Sequence, residues 1–141
     1  MAILRVVANT ADNVKLIRRS FAVFTAGDMD AFADLFADDA VVQTDPSFPE
    51  GGTLVGQEPI RRFHEGLREG WHGGGEVIAT EVRAAGDRVF ATVDWTATGE
   101  ASGIETTSRW HIVIWVRDGK IARWQYFRES AEALDAAGLQ D

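Results

Sequence analysis

Apolar residues in the first half of the chain recur every three or four positions. Val14, Ile17, Phe21 and Phe24 follow the polar stretch TADN at that spacing, which predicts a helix over residues 12–25 that Gly27 ends. Asp28 suits the cap of a short second helix whose buried side is Met29, Phe32, Leu35 and Phe36, before ADDA breaks the period. AVVQT then reads as a short strand. Residues 45–56 hold two Pro and three Gly and read as a loop, and Pro59 suits the first turn of a third helix carrying Ile60, Phe63, His64 and Leu67, which ends near Gly70.

The second half changes period. GEVIATEVRAAG, DRVFATVDWTATG, IETTSRWHIVIWV and KIARWQYFRES are rich in β-branched and aromatic residues, and Gly or Asp-Gly turns separate them, as in VRDGKI. They predict an antiparallel meander. SAEALDAAGL adds a terminal helix, with Ser130 as its cap and Gly138 at its end. Helices grouped ahead of antiparallel strands predict an α+β domain in which a curved sheet wraps around the helices. A length of 141 residues with 45% apolar content, five Trp and eight Phe fits a single domain around one core, spanning residues 1–141.

Charge and composition remove several classes of function. Fourteen basic against twenty-two acidic residues give a net charge of −8, which repels a phosphate backbone and argues against nucleic acid as a partner. With no Cys there is no thiolate nucleophile and no cysteine metal site. Three scattered His without tight carboxylate spacing predict no metal centre, and HGGGEV precedes a strand without the Lys of a phosphate loop. No Ser sits in a nucleophile elbow. MAILRVV is too short for the apolar core of a signal peptide and no apolar run reaches membrane-spanning length, so the expectation is a cytoplasmic protein with no membrane partner.

The order of elements, together with AGDMDAFADLFADDAVV, GQEPIRRF and DGKIARWQYF, resembles the nuclear transport factor 2-like superfamily, and within it the SnoaL-like and ketosteroid isomerase-like branch. The resemblance covers residues 12–138 and implies a cystatin-like cone with a pocket between the helices and the concave face of the sheet. It turns Ala122, Trp124, Tyr126 and Arg128 inward on the last strand, and Trp110, Ile112, Ile114 and Val116 on the one before. On the strand preceding those, Val89, Ala91, Val93 and Trp95 form the more apolar set and are taken as inward. Asp94 then faces outward across from Arg109 as a solvated ion pair, and His111, Val113 and Trp115 share that outer face. Apolar residues on both faces of one strand call for cover on both sides, and a homodimer through the outer sheet face is the expected cover.

The same resemblance guides the chemistry. Related isomerases carry their general-base Asp before a Pro, which matches Asp45 in ADDAVVQTDP after a one-residue slip; without the slip Thr44 takes the inward place and Asp45 forms the turn. Where those enzymes place the acidic donors of an oxyanion hole, this chain has Ser20 and Ile112, so ordinary steroid isomerisation is not expected. The places that form a limonene-type epoxide hydrolase site hold Val93, Trp95, Tyr126, Val42 and Thr44, all changed. A scytalone dehydratase-like site lacks its second inward His, because His72 in GWHGGG belongs to a loop or helix end. The expected catalytic set is therefore Asp45 as base with His64 and Tyr126 as proton-donating or orienting groups. Ser20, Thr44, Phe63, Trp71, Trp95, Trp110, Ile112, Trp124 and Arg128 are the expected substrate contacts. The function implied is binding of a small, mostly apolar carbonyl compound, without a cofactor, by an isomerase or polyketide cyclase-type enzyme that moves a proton. The alternative is a non-catalytic ligand-binding or dimerisation module of the same fold, and a close Asp45–His64 pair distinguishes the two.

Overall fold

The computed structural model describes residues 10–46, 52–69, 76–98 and 103–139. Helix α1 (Thr10–Ala26) buries Ile17, Ser20, Phe21 and Phe24 along one stripe. Gly27 then reverses the chain at φ +82, where an added Cβ would lie 2.9 Å from the guanidinium of Arg68. Helix α2 (Met29–Asp34) starts as the sequence predicts, with the Asp28 carboxylate accepting from the Ala31 N–H at 3.1 Å. Strand β1 (Phe36–Gln43) begins four residues earlier than its expected start. A register break between Phe36 and Val41 lets the exposed Asp38 and Asp39 bulge out while Phe36, Ala40 and Val42 stay buried, and that bulge hides the strand's period. Strand β2 (Thr53–Val55) lies inside the stretch expected to be loop, and three residues are too few to show an alternation.

Helix α3 (Gln57–Glu69) buries Ile60, Phe63 and His64. Strands β3 (Glu76–Ala85), β4 (Arg88–Thr98), β5 (Glu105–Arg117) and β6 (Lys120–Phe127) form the antiparallel meander, and helix α4 (Ser130–Ala137) follows. The sheet order is β2-β1-β6-β5-β4-β3. Because β1 runs parallel to β6, the sheet is mixed rather than wholly antiparallel. Asp118 and Gly119, at φ 53 and 77, make the tight turn that the Asp-Gly pair predicts.

Side-chain parity on the central strands follows the period-two reading. Val89, Ala91 and Val93 on β4 pair with Ile114, Ile112 and Trp110 on β5, and all are buried against the helices. On β6 the inward set is Ile121, Trp124 and Tyr126; the expected Ala122 is only half-buried, because a bulge between Trp115 and Val116 brings Ile121 opposite Val116. Asp94 pairs with Arg109 across the hairpin, Oδ1 accepting from Nε at 2.7 Å and Oδ2 from Nη2 at 2.9 Å.

The outer face explains why β5 is apolar on both sides. Phe90 and Val113 are buried there by Ala133, Leu134 and Ala137 of α4, with Trp115 half-buried beside them. Arg88 donates to the Ala136 carbonyl at 2.9 Å, and its guanidinium and that of Arg123 stand 5.7 and 5.4 Å from the Trp115 ring. The cover that Val113 requires is thus supplied by the chain's own helix. Ser130 is the first helical residue rather than the cap, a position taken by Glu129 without a side-chain hydrogen bond. Among the described residues no helix is long and apolar enough to cross a membrane.

Two outcomes follow for urea unfolding. Leu134→Ala, at a site only 7% exposed, should cost about 2–3 kcal/mol by opening a hole beneath α4. Asp94→Asn should shift stability by less than about 1 kcal/mol, because the Arg109 side chain of that pair is 58% exposed. A large loss from Asp94→Asn together with a negligible one from Leu134→Ala would contradict this account of the outer face.

Candidate functional site

Between the concave sheet face and the helices lies a cavity of about 50 Å³. Helices α1, α2 and α3 contribute Phe21, Phe24, Phe32, His64 and Leu67; the sheet contributes Val77, Val93, Trp95, Trp110, Ile112, Trp124 and Tyr126. Its walls are almost wholly hydrocarbon and aromatic ring. Exposure rises along β4 and β5 from the buried Val93 and Ile112, through the half-buried Trp95, to the exposed Ser108, so the cone opens at the Trp95–Trp110 end.

His64 is the polar centre of this wall. It is 2% exposed and ringed by Phe32 at 4.8 Å, Phe63 at 5.0 Å and Trp124 at 6.2 Å between ring centroids. Its Nδ1 lies 2.8 Å from the carbonyl oxygen of Ile60, one turn back on α3. A carbonyl can only accept, so Nδ1 carries the proton. Its Nε2 lies 2.7 Å from the Tyr126 hydroxyl. In the neutral ring Nε2 is the acceptor, and Tyr126 donates. Burial without a carboxylate partner pushes the imidazole down to about 4, the Ile60 carbonyl opposing it weakly. Burial likewise pushes the Tyr126 phenol well above its ordinary range, with the nearby Trp124 indole pulling the other way. That indole Nε1–H is itself buried and makes no full hydrogen bond.

The structure brings together seven of the expected residues at or beside this cavity. His64, Tyr126, Trp95, Trp110, Ile112 and Trp124 line it, and Phe63 backs the imidazole edge-on. Arg128, exposed just beyond β6, stacks over the Trp110 ring at 4.9 Å. Ser20 is fully buried, but its hydroxyl donates to the Ile17 carbonyl of its own helix and does not line the cavity. Asp45 does not join the others. From Val41 onward β1 alternates without a slip, so Thr44 takes the inward place at 3% exposure, and Asp45 follows half-buried, outside the cavity lining. Thr44 is held there by Gly52, whose carbonyl accepts from the Thr44 N–H and hydroxyl and whose N–H donates back to that hydroxyl. Trp71 and His72 lie outside the described residues, in the segment between Leu67 and Val77.

The residues not anticipated as lining are on the helix side: Phe21, Phe24, Phe32 and Leu67, with Val77 from the sheet. Their signal was present, since each helical one belongs to an apolar stripe that must face the concave sheet. Among the described residues no cluster of His, Asp and Glu could hold a metal ion.

The comparisons agree with this geometry. The family model for the SnoaL-like domain matches residues 17–124, and the chain belongs to that family. No curated protein matches it in sequence. Among solved structures, Bal32a from a soil-derived mobile gene cassette is 22% identical with a TM-score of 0.77, over 92% of this chain and 98% of that one. TerC, co-crystallized with polyporic acid, is 22% identical with a TM-score of 0.73, over 90% and 98% of the two chains. A protein from Catenulispora acidiphila with a ketosteroid isomerase-like fold, in complex with trimethylamine, is 19% identical with a TM-score of 0.71, over 89% and 93%. At these identities the likeness establishes the fold, the nuclear transport factor 2-like cone, and nothing of the chemistry.

The buried imidazole makes stability depend on pH. Its folded value of about 4 lies below the 6.5 of an ordinary His, so between those values the unfolded chain binds a proton that the folded chain does not. Stability is complete above pH 6.5 and falls as the pH drops, by about 2–3 kcal/mol at pH 4.5 from this residue alone. His64→Gln keeps a donor for Ile60 and an acceptor for Tyr126 but cannot titrate. Urea unfolding at pH 7 and 4.5 should show a smaller acid loss in His64→Gln than in the wild type. Equal losses would mean that His64 is not buried neutral.

Proposed function

We propose that the protein binds a small, mostly apolar carbonyl compound in the cone, with the Tyr126 hydroxyl as its polar anchor: on binding, the phenol turns its proton from His64 Nε2 to the ligand's carbonyl oxygen. The observation that carries this reading is one hydrogen-bonded polar pair, 2.7 Å long, set in an otherwise aromatic wall. A few fixed polar groups in an apolar pocket are how small-molecule sites set ligand orientation. Two fold relatives, one co-crystallized with polyporic acid and one in complex with trimethylamine, support a small-molecule-binding role for this chain.

The cavity sets a size limit. An apolar cavity of about 150 Å³ takes benzene; at about 50 Å³ this one takes a ring-sized ligand by moving side chains, and the half-buried Trp95 at the open end is the first candidate.

Binding stands ahead of catalysis on a specific ground. Both His64 nitrogens are engaged, by the Ile60 carbonyl and the Tyr126 hydroxyl, and neither meets a carboxylate. Among the described residues no carboxylate lines the cavity, so a carbon acid inside it lacks a ready base. Proton transfer is the second reading, favoured by the pair itself: a carbonyl that draws the Tyr126 O–H into a hydrogen bond leaves His64 Nε2 free to take the proton of the carbon next to that carbonyl, giving the enol form.

Both readings are tested by titrating ketones from butanone to acetophenone, followed by the fluorescence of the three lining Trp. Tyr126→Phe should weaken binding about two- to fivefold, less than a whole hydrogen bond because the bond to the ligand replaces the one to His64. Unchanged affinity in that variant would remove the anchor. Deuterium uptake next to the carbonyl, above the buffer rate and lost in Tyr126→Phe and His64→Gln, would put the enzyme reading first.

A further inference from the structure

The polar groups that face or rim the cavity are unequal in what they still offer. Tyr126 has given its proton to His64. The Trp124 indole N–H, on a residue only 2% exposed, makes no full hydrogen bond. Arg128 sits at the open end. It continues the inward parity of Trp124 and Tyr126 one step beyond β6, and its guanidinium lies 4.9 Å from the Trp110 ring that lines the cavity.

Other arginines of the sheet are spoken for. Arg83 pairs with Glu81, Arg109 with Asp94 and Arg117 with Asp39; Arg88 donates to the Ala136 carbonyl and Arg123 to the Gln125 amide. Arg128 has neither ion pair nor hydrogen bond among the described residues. Its chain neighbour Glu129 directs its field onto His111, on the opposite face of the sheet. A guanidinium stacked on a ring keeps its N–H edge available, and that planar fork suits a carboxylate. The net charge of −8 repels anions at long range, so a cation at the mouth with no ion pair among the described residues is a local exception with consequences for selection.

We infer that Arg128 selects an acidic ligand: an apolar body enters the aromatic cavity, its carbonyl oxygen draws the Tyr126 proton away from His64, and a carboxylate at the outer end pairs with Arg128. This rests on the binding role proposed above and adds the ligand's charge and its layout. Two residues along an extended chain place their Cα atoms roughly 7 Å apart, so a short acid whose carbonyl lies a few carbons from its carboxylate suits the two side chains. Apolar 4-oxo and 5-oxo acids have that layout.

The probe is 4-oxo-4-phenylbutanoate against its primary amide, titrated by Trp fluorescence at 20 and 300 mM salt. The acid should bind about tenfold more tightly than the amide at low salt, and the preference should shrink at high salt. Arg128→Gln should abolish the preference while leaving the amide affinity unchanged. Arg128→Glu should reverse it. Equal binding of acid and amide by the wild type, or an equal loss of both in Arg128→Gln, overturns the inference and leaves the cavity reading standing. Binding of neither compound overturns both together.

Discussion

A neutral imidazole removed from water needs one acceptor and one donor, and His64 finds both without leaving the protein. The acceptor is the carbonyl of its own helix, which fixes the proton on Nδ1. The donor is Tyr126 on β6, so the same bond that satisfies the ring ties α3 to the sheet on which the cone closes. Each partner constrains the other. With Nε2 occupied, the phenol points its proton at the helix and its lone pairs elsewhere, and among the described residues of the lining the Trp124 indole is the buried polar group left without a full partner.

Dryness gives the pair its chemical character. Rings packed around His64 exclude the water that would stabilise an imidazolium, and burial raises the cost of a tyrosinate as well. The pair is therefore an orienting device in its resting state rather than a charged acid and base. Among the described residues charge enters the picture at the rim, where Arg128 rests on Trp110. If Arg128 acts as proposed, a cone that is apolar inside and cationic at its mouth sorts ligands by the end they leave outside.

Much of this was legible in the sequence where a period was long and unbroken. Val89, Ala91, Val93 and Trp95 alternate over one strand, so their shared facing, and the opposite facing of Asp94 toward Arg109, followed from parity alone. The helical stripe through Ile60, Phe63 and His64 placed the imidazole inward in the same way. Legibility failed at local irregularities. The bulge in β1 concealed the first half of the strand, the bulge near Val116 exchanged Ala122 for Ile121, and the parallel β1–β6 pairing leaves no mark on either strand's pattern. Asp45 was ambiguous because two parities were open at the strand's end, and what decides between them, Gly52 closing on Thr44, is a contact across a loop. The double-sided burial of β5 was read correctly as a demand for cover, but composition could not say that Leu134 and its neighbours on α4 would help to meet it.

The tautomer and charge of His64 test the account most directly, and both can be read from long-range proton–nitrogen NMR of the free protein across an acid titration. The account predicts one ring with its proton on Nδ1 at pH 7, neutral until the pH approaches about 4. A ring protonated on Nε2 at pH 7, or one that charges near 6.5 like an exposed histidine, would contradict it.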